Sequence, residues 1–215
     1  MKISPQPVLK DLVLIGGGHS HVAVVKSFGM KPIPGVRLTV ISRDVHTPYS
    51  GMLPGYVAGH YSFDEVHIDL RPLTQFAGAR LYHNEAVRID PVNKTVICKG
   101  RPPVPYDVLS INIGSTPRIG NIPGAADFAV AVKPINKFVD RWQKLLDRVI
   151  AHSGSHKVCV VGAGAAGVEL LLAIQFRLQN ELAGLGRSSE QLICHLVSKS
   201  EHIMPGFPSA VAKRV

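Results

Sequence analysis

The stretch Lys157-Val158-Cys159-Val160-Val161-Gly162-Ala163-Gly164-Ala165-Ala166-Gly167-Val168 carries the pattern that decides the fold. Its first five residues form a nearly continuous apolar run, the signature of a short buried strand. Glycine then occupies the first, third and sixth places of a six-residue turn, and Val168 to about Leu182 continues as a long apolar helix. Gln191 to Val197 follows as a further strand. Strand, glycine turn, helix and strand make one unit of an open parallel α/β sheet.

The same order occurs near the start of the chain. Asp11 to Ile15 (DLVLI) is the strand and Gly16-Gly17-Gly18 the turn. Val22, Val25 and Phe28 recur at helical spacing until Lys31-Pro32-Ile33-Pro34-Gly35 breaks the pattern, and Val36 to Ser42 (VRLTVIS) is the second strand. A Gly/Pro-rich connection with short helical pieces runs from Ser42 to Leu81. Three β segments follow, at Arg80 to Asp90, Lys94 to Lys99 and Val104 to Ile113. A helix around Pro134 to Ile150 places Phe138, Trp142, Leu145 and Val149 on one apolar face.

The expected fold class is therefore α/β, with two Rossmann-like dinucleotide-binding units, the second incomplete, and a β-rich insertion. Residues 1–132 and 133–215 are the expected domains. The second unit stops after its second strand, with only Met204-Pro205-Gly206-Phe207-Pro208 and a helix start behind it. A mononucleotide-binding half needs a third strand, so the chain is expected to be an N-terminal fragment.

Composition narrows the function classes. The 215 residues hold 24 Lys+Arg against 15 Asp+Glu, a formal charge of +9, yet the excess never condenses into a basic run. No recognition helix, zinc finger or RNA-binding signature accompanies it, so nucleic acid is not the expected partner. No stretch approaches the roughly 20 apolar residues of a membrane helix, and Met1 to Lys10 lacks the apolar centre of a secretory signal, which points to the cytoplasm. Cys98, Cys159 and Cys194 lie far apart and form no CxxC pair; Cys159 and Cys194 are expected to be small core residues.

A dinucleotide presents a doubly charged pyrophosphate that must approach the backbone closely, and a helix N-terminus offers it free N–H donors and the positive end of a dipole. Gly162, Gly164 and Gly167 meet the full G-x-G-x-x-G requirement. Gly16 and Gly18 meet the first two places, with His21 standing in the third. His19 and His21 are expected to line or cap this loop, since an H-x-H metal pair would need a third ligand with metal spacing. Ribose specificity normally comes from an acid at the end of the second strand. Here Ser42-Arg43-Asp44 ends the first unit and Ser198-Lys199-Ser200-Glu201 the second. Ser198 with Lys199 suits a 2′-phosphate, while a lysine after a strand is equally an ordinary solvated residue.

Two glycine loops around a β-rich insertion resemble the two-dinucleotide flavoproteins of the pyridine nucleotide-disulfide oxidoreductase family, whose first loop holds FAD and second NAD(P)H. Tyr106-Asp107-Val108-Leu109-Ser110-Ile111-Asn112-Ile113-Gly114-Ser115 resembles the segment returning to the flavin domain, with Asn-Ile-Gly in place of the usual Ala-Thr-Gly. His46-Thr47-Pro48-Tyr49-Ser50-Gly51-Met52-Leu53-Pro54-Gly55 resembles the flavin-side loop of type II NADH dehydrogenases and sulfide:quinone reductases. With GGGHSH before it, the chain most resembles the NADH-dehydrogenase-like flavoprotein module fused to selenide, water dikinase.

The resemblance implies an enzyme in which hydride passes from NAD(P)H to FAD and electrons go on to an acceptor such as a quinone. It implies that Pro48, Ser50, Gly51 and Met52 lie along the flavin, that Val87 contacts adenine through its backbone, and that Gly114 and Ser115 lie beside FAD. Glu169, following the second loop, stands near the nicotinamide ribose or the flavin, or is simply an acid at a helix N-terminus. No catalytic side chain is assigned, because hydride transfer between cofactors does not require one. Peripheral contact with the inner face of a membrane, made by a C-terminal region, and a downstream kinase domain are further implications. The alternative is a nucleotide-binding module without turnover.

Overall fold

A computed structural model of the protein describes residues 7–117, 119 and 122–214; the first six residues of the Met1 to Lys10 stretch lie outside the described part. The chain runs through β1 (Lys10–Ile15), α1 (His19–Met30), β2 (Val36–Ser42) and β3 (His46–Pro48), then a 3-10 turn at Ser50–Met52. Next come α2 (Leu53–Ala58), α3 (Phe63–Val66), β4 (His67–Asp69), α4 (Leu70–Phe76) and β5 (Arg80–His83). β6 (Ala86–Asp90), β7 (Thr95–Cys98), β8 (Val104–Pro105) and β9 (Val108–Ile111) follow. The last elements are α5 (Ala125–Phe128), α6 (Ile135–Ala151), β10 (His156–Val161), α7 (Ala165–Gly184), β11 (Leu192–Val197) and α8 (Ser209–Ala212). They divide into two compact units, Met1–Tyr49 with His67–Thr116, and Ser50–Val66 with Pro117–Val215. The expected boundary at 132/133 falls inside the second.

In the first unit a parallel sheet is ordered β5-β2-β1-β9. Ile15 at the end of β1 is level with Ile41 on one side and Ile111 on the other, so three strands finish at one edge. Ligand sites of open α/β sheets form outside such carboxyl ends. β1 is covered on both faces, as its unbroken apolar run requires. Leu14 packs with Val25, Leu38 and Val40 on one side. Val13 and Ile15 pack with Ile41, Val96, Cys98 and Val104 on the other. Each such side chain contributes about 1.5–3 kcal/mol by leaving water.

The three expected β segments resolve into five strands serving two sheets. Arg80–Asp90 breaks at Asn84-Glu85, where the Asn84 N–H still donates to Ser42 O while Glu85 O already accepts the Lys99 N–H. The chain has passed there from the parallel sheet to the antiparallel β6-β7-β8 sheet. Val104–Ile113 breaks at Tyr106-Asp107. The Asp107 N–H donates to Asp11 O, and its carboxylate accepts the Asp11 N–H and pairs with Lys10, turning β9 back beside β1.

In the second unit β10 and β11 are parallel and paired from His156↔Leu192 to Val161↔Val197. α2, α6 and α7 supply the core through Val57, Phe138, Trp142, Leu146, Leu178 and Leu182, with Val158, Val160 and Leu192 packed against it. On α6 it is Leu146, one place after the expected Leu145, that is fully buried; Leu145 is half-buried beside it. Burial alternates along both strands, and Cys159 is exposed. This corrects its expected place in the core: alternate residues face away from the helices, and an apolar run does not reveal that only one face is covered. Cys194 is half-buried. Arg187 closes the C-terminus of α6 by donating to the carbonyls of Val149, Ile150 and His152. No helix among the described residues is long and apolar enough to cross a membrane.

Candidate functional site

The first loop leaves β1 with the Gly16 N–H still donating to Ile41 O at 2.8 Å. Gly16 has φ +91°, a conformation side chains disfavour, and a Cβ there would run into the backbone of Asn112. A Cβ at Gly17 would meet Leu70, with Ser42 and Thr47 next to it. Gly18 is the N-cap of α1, and a Cβ on it would meet the Asn112 carboxamide. The N–H groups of Gly17, His19 and Ser20 have no backbone acceptor among the described residues. Three bare residues and free donors at a helix start form a cradle for an anion.

His19 and His21 have different fates. His19 is exposed, its ring 4.6 Å from that of Tyr49. His21 is only 2% exposed, with Nδ1 2.7 Å from Gly16 O and Nε2 2.9 Å from Ser110 Oγ. A carbonyl only accepts, so Nδ1 carries a hydrogen; in the neutral ring Nε2 then accepts from the Ser110 hydroxyl. Both nitrogens are used inside the protein. His21, expected to line or cap the phosphate loop, ties Gly16 of that loop to Ser110 of β9.

At the end of β2, Ser42 is buried and donates its hydroxyl to Asp44 O at 2.6 Å. Arg43 is exposed and paired with Asp44 at 3.2 Å, and its carbonyl accepts from His83 Nε2. Pro48 lies in β3, paired with His67 of β4. Asp69, ending β4, caps α4 by accepting the Arg71 N–H and binds the Arg71 guanidinium, which also reaches His46 Nε2 at 3.2 Å. These hydrogen bonds from Arg71 pull the Asp69 carboxyl down to about 2. Ser50, Gly51 and Met52 form the 3-10 turn that opens the second unit. Val87 falls at the register shift between Ala86 and Arg88, where a bulge takes a residue out of regular pairing. Gly114 has φ +77° and, like Ser115, is exposed just beyond β9.

The second loop repeats the first by other means. Gly162 has φ +111° and donates to Val197 O at 2.8 Å, fixing the loop to the end of β11. Gly164 is the N-cap of α7, and no atom lies within 4 Å of a Cβ placed on it. A Cβ on Gly167 would collide with the Gly162 carbonyl. Glu169 is exposed on the first turns of α7. Ser198 and Lys199 are exposed after β11, and Ser198 Oγ accepts the Ser200 N–H at 3.2 Å, which tightens the turn.

The pattern described as pyridine nucleotide-disulphide oxidoreductase matches residues 10–215. The chain belongs to this family. The NADH dehydrogenase-like protein YutJ of Bacillus subtilis (strain 168) is 28% identical over 216 residues, covering 96% of this chain and 54% of that protein. NDH2 from Plasmodium falciparum, solved with NADH, has a TM-score of 0.80 at 18% identity, covering 95% of this chain and 44% of that one. The sulfide:quinone oxidoreductase of Aquifex aeolicus has a TM-score of 0.67 at 19% identity, over 90% and 44%. The chain thus spans about half the length of these relatives.

Three residues take part in the loops of the chain without having been singled out from sequence. Asn112 contacts both Gly16 and Gly18. Ser110 holds His21. Met204, buried and at φ +53°, donates its N–H to Ala163 O at 2.6 Å and closes the second loop. The replacement of Ala-Thr-Gly by Asn-Ile-Gly was a signal for the first; the other two carry none in the sequence.

Proposed function

We propose that the chain is the dinucleotide-binding portion of an FAD-dependent NAD(P)H oxidoreductase, with FAD at the first loop and NAD(P)H at the second. The observation that carries this is the pair of bare helix N-termini, Gly16-Gly17-Gly18 before α1 and Gly162-Ala163-Gly164 before α7, in one chain of this family. When bound, FAD would accept hydride from the nicotinamide and pass electrons to an acceptor such as a quinone. The residues of the chain bind and orient. The N–H groups of Gly17, His19 and Ser20 would take the diphosphate of FAD, and Arg43 would stand at the ribose end. Gly114 and Ser115 would lie beside the cofactor and Val87 would offer backbone groups to adenine. Pro48, Ser50, Gly51 and Met52 would flank the flavin.

At the second loop, Gly162, Gly164 and the first N–H groups of α7 would hold the NAD(P)H diphosphate, with Glu169 near the ribose. No carboxylate occupies residues 198–200, and Lys199 is exposed among them, which supports acceptance of NADPH as well as NADH. A quinone acceptor and peripheral membrane contact are supported by the likeness of the His46–Gly55 segment to the type II dehydrogenases. GGGHSH together with that segment supports a place beside a selenide, water dikinase domain.

The test is an absorption spectrum of the complete protein, before and after anaerobic NADH and NADPH. A bound-flavin band that bleaches with either nucleotide is the expected result. A protein that stays colourless after incubation with FAD overturns the reading in favour of nucleotide binding without redox chemistry.

A further inference from the structure

Gly18 is glycine for a reason that lies in another strand. β9 ends at Ile111, and the next residue, Asn112, donates its N–H to Ile15 O at 2.8 Å and accepts the Gly18 N–H on its carbonyl at 3.3 Å. Its side chain then lies across the Cα of Gly18. A Cβ built there would meet Oδ1, Cγ and Nδ2 of the carboxamide together, so the amide group lies directly against the N-cap of α1. Asn112 is half-buried, and among the described residues its carboxamide has no hydrogen-bond partner. A carboxamide adds two N–H donors at the rim of an N-terminus already rich in free donors.

We propose that Asn112 is a phosphate-binding residue of the first loop, its Nδ2 donating to a diphosphate oxygen seated at the N-terminus of α1. This rests on the first loop being the FAD site. Asn112 thereby replaces contacts that a side chain at Gly18 would have blocked, and couples the return strand to cofactor binding.

The experiment compares the complete wild-type protein with Asn112→Ala and Asn112→Asp, each stripped of flavin and titrated with FAD and, separately, with ADP, while urea unfolding follows the flavin-free protein. Loss of one hydrogen bond to a charged group predicts that Asn112→Ala weakens both ligands by about tenfold or more. Asn112→Asp has the same shape but sets a carboxylate against phosphate, so it must weaken them at least as much with its unfolding midpoint unchanged. An Asp variant that holds FAD and ADP within about twofold of wild type overturns the proposal, because a spacer would tolerate the isostere. Weakened FAD with unaltered ADP overturns it too, since the contact would then not be to the diphosphate. Should Asn112→Ala fail to fold, the Asp variant decides. A wild-type protein binding neither ligand refutes the first-loop reading itself, an outcome distinct from those two.

Discussion

His21 Nδ1 lies 2.7 Å from the carbonyl oxygen of Gly16, spanning the six-residue turn from its last place to its first. In the second turn the same two places are Gly167 and Gly162, and there the backbone approaches so closely that no Cβ fits. One unit closes its loop with a buried imidazole, the other by direct packing. His21 also reaches Ser110 on β9, so the imidazole joins three parts of the first unit.

His21→Ala would leave the Gly16 carbonyl and the Ser110 hydroxyl short of a partner in a half-buried place. Urea unfolding should show a loss of about 1–3 kcal/mol, the cost of unsatisfied buried polar groups. A loss under roughly 0.5 kcal/mol, below even a typical net hydrogen bond, would mean the ring is not a brace.

The glycines of the second loop should separate by cause. Gly167→Ala meets the Gly162 carbonyl and should destabilise the protein by about 1–3 kcal/mol, as overpacking does. Gly164→Ala has open space and φ −74°, which alanine adopts freely, so its thermal midpoint should equal or exceed that of wild type. Its methyl group would nevertheless occupy the place of a diphosphate, and titration with NADH or NADPH should show binding lost. Nucleotide bound at wild-type affinity by Gly164→Ala would remove the second loop from the site.

Lys199 is the cation in the turn after β11. Lys199→Glu should weaken NADPH about tenfold more than NADH, the value of one charge-assisted contact to a 2′-phosphate. Equal losses for the two nucleotides would show a solvated lysine without a role in recognition.

Asp69 gives the protein an acid-sensitive joint. Its carboxyl is held at about 2, below the ordinary 3.8, by hydrogen bonds from the side chain and N–H of Arg71. A depressed carboxyl contributes stability that is fully present above its unfolded value and disappears as pH falls through the folded one. The thermal midpoint should therefore drop between about pH 4 and about 2. Asp69→Asn should start lower at neutral pH and converge with wild type at the acid end; parallel curves would show that Asp69 contributes nothing to the acid response.

The sequence by itself determined the two strand-turn-helix units, because the constraint acts within a few residues. A strand must be apolar, the turn must admit positive φ at Gly16 and Gly162, and the helix must begin where side chains would obstruct. These demands are local and leave their mark in spacing. Only the tertiary structure decided the rest. His21 reads as a polar residue at a phosphate loop until Gly16 and Ser110 are found on either side of its ring. Asn112 stands 94 residues beyond Gly18 in the chain (112 − 18) and reaches it only because β9 folds parallel to β1. Cys159 sits in an apolar run as convincing as that of β1, yet it is exposed, since the helices of its unit cover one face of β10 and β11. Periodicity and residue type record what a segment needs. Which partner meets that need depends on chain closure between segments far apart, and a neighbour's identity is not written in the segment itself.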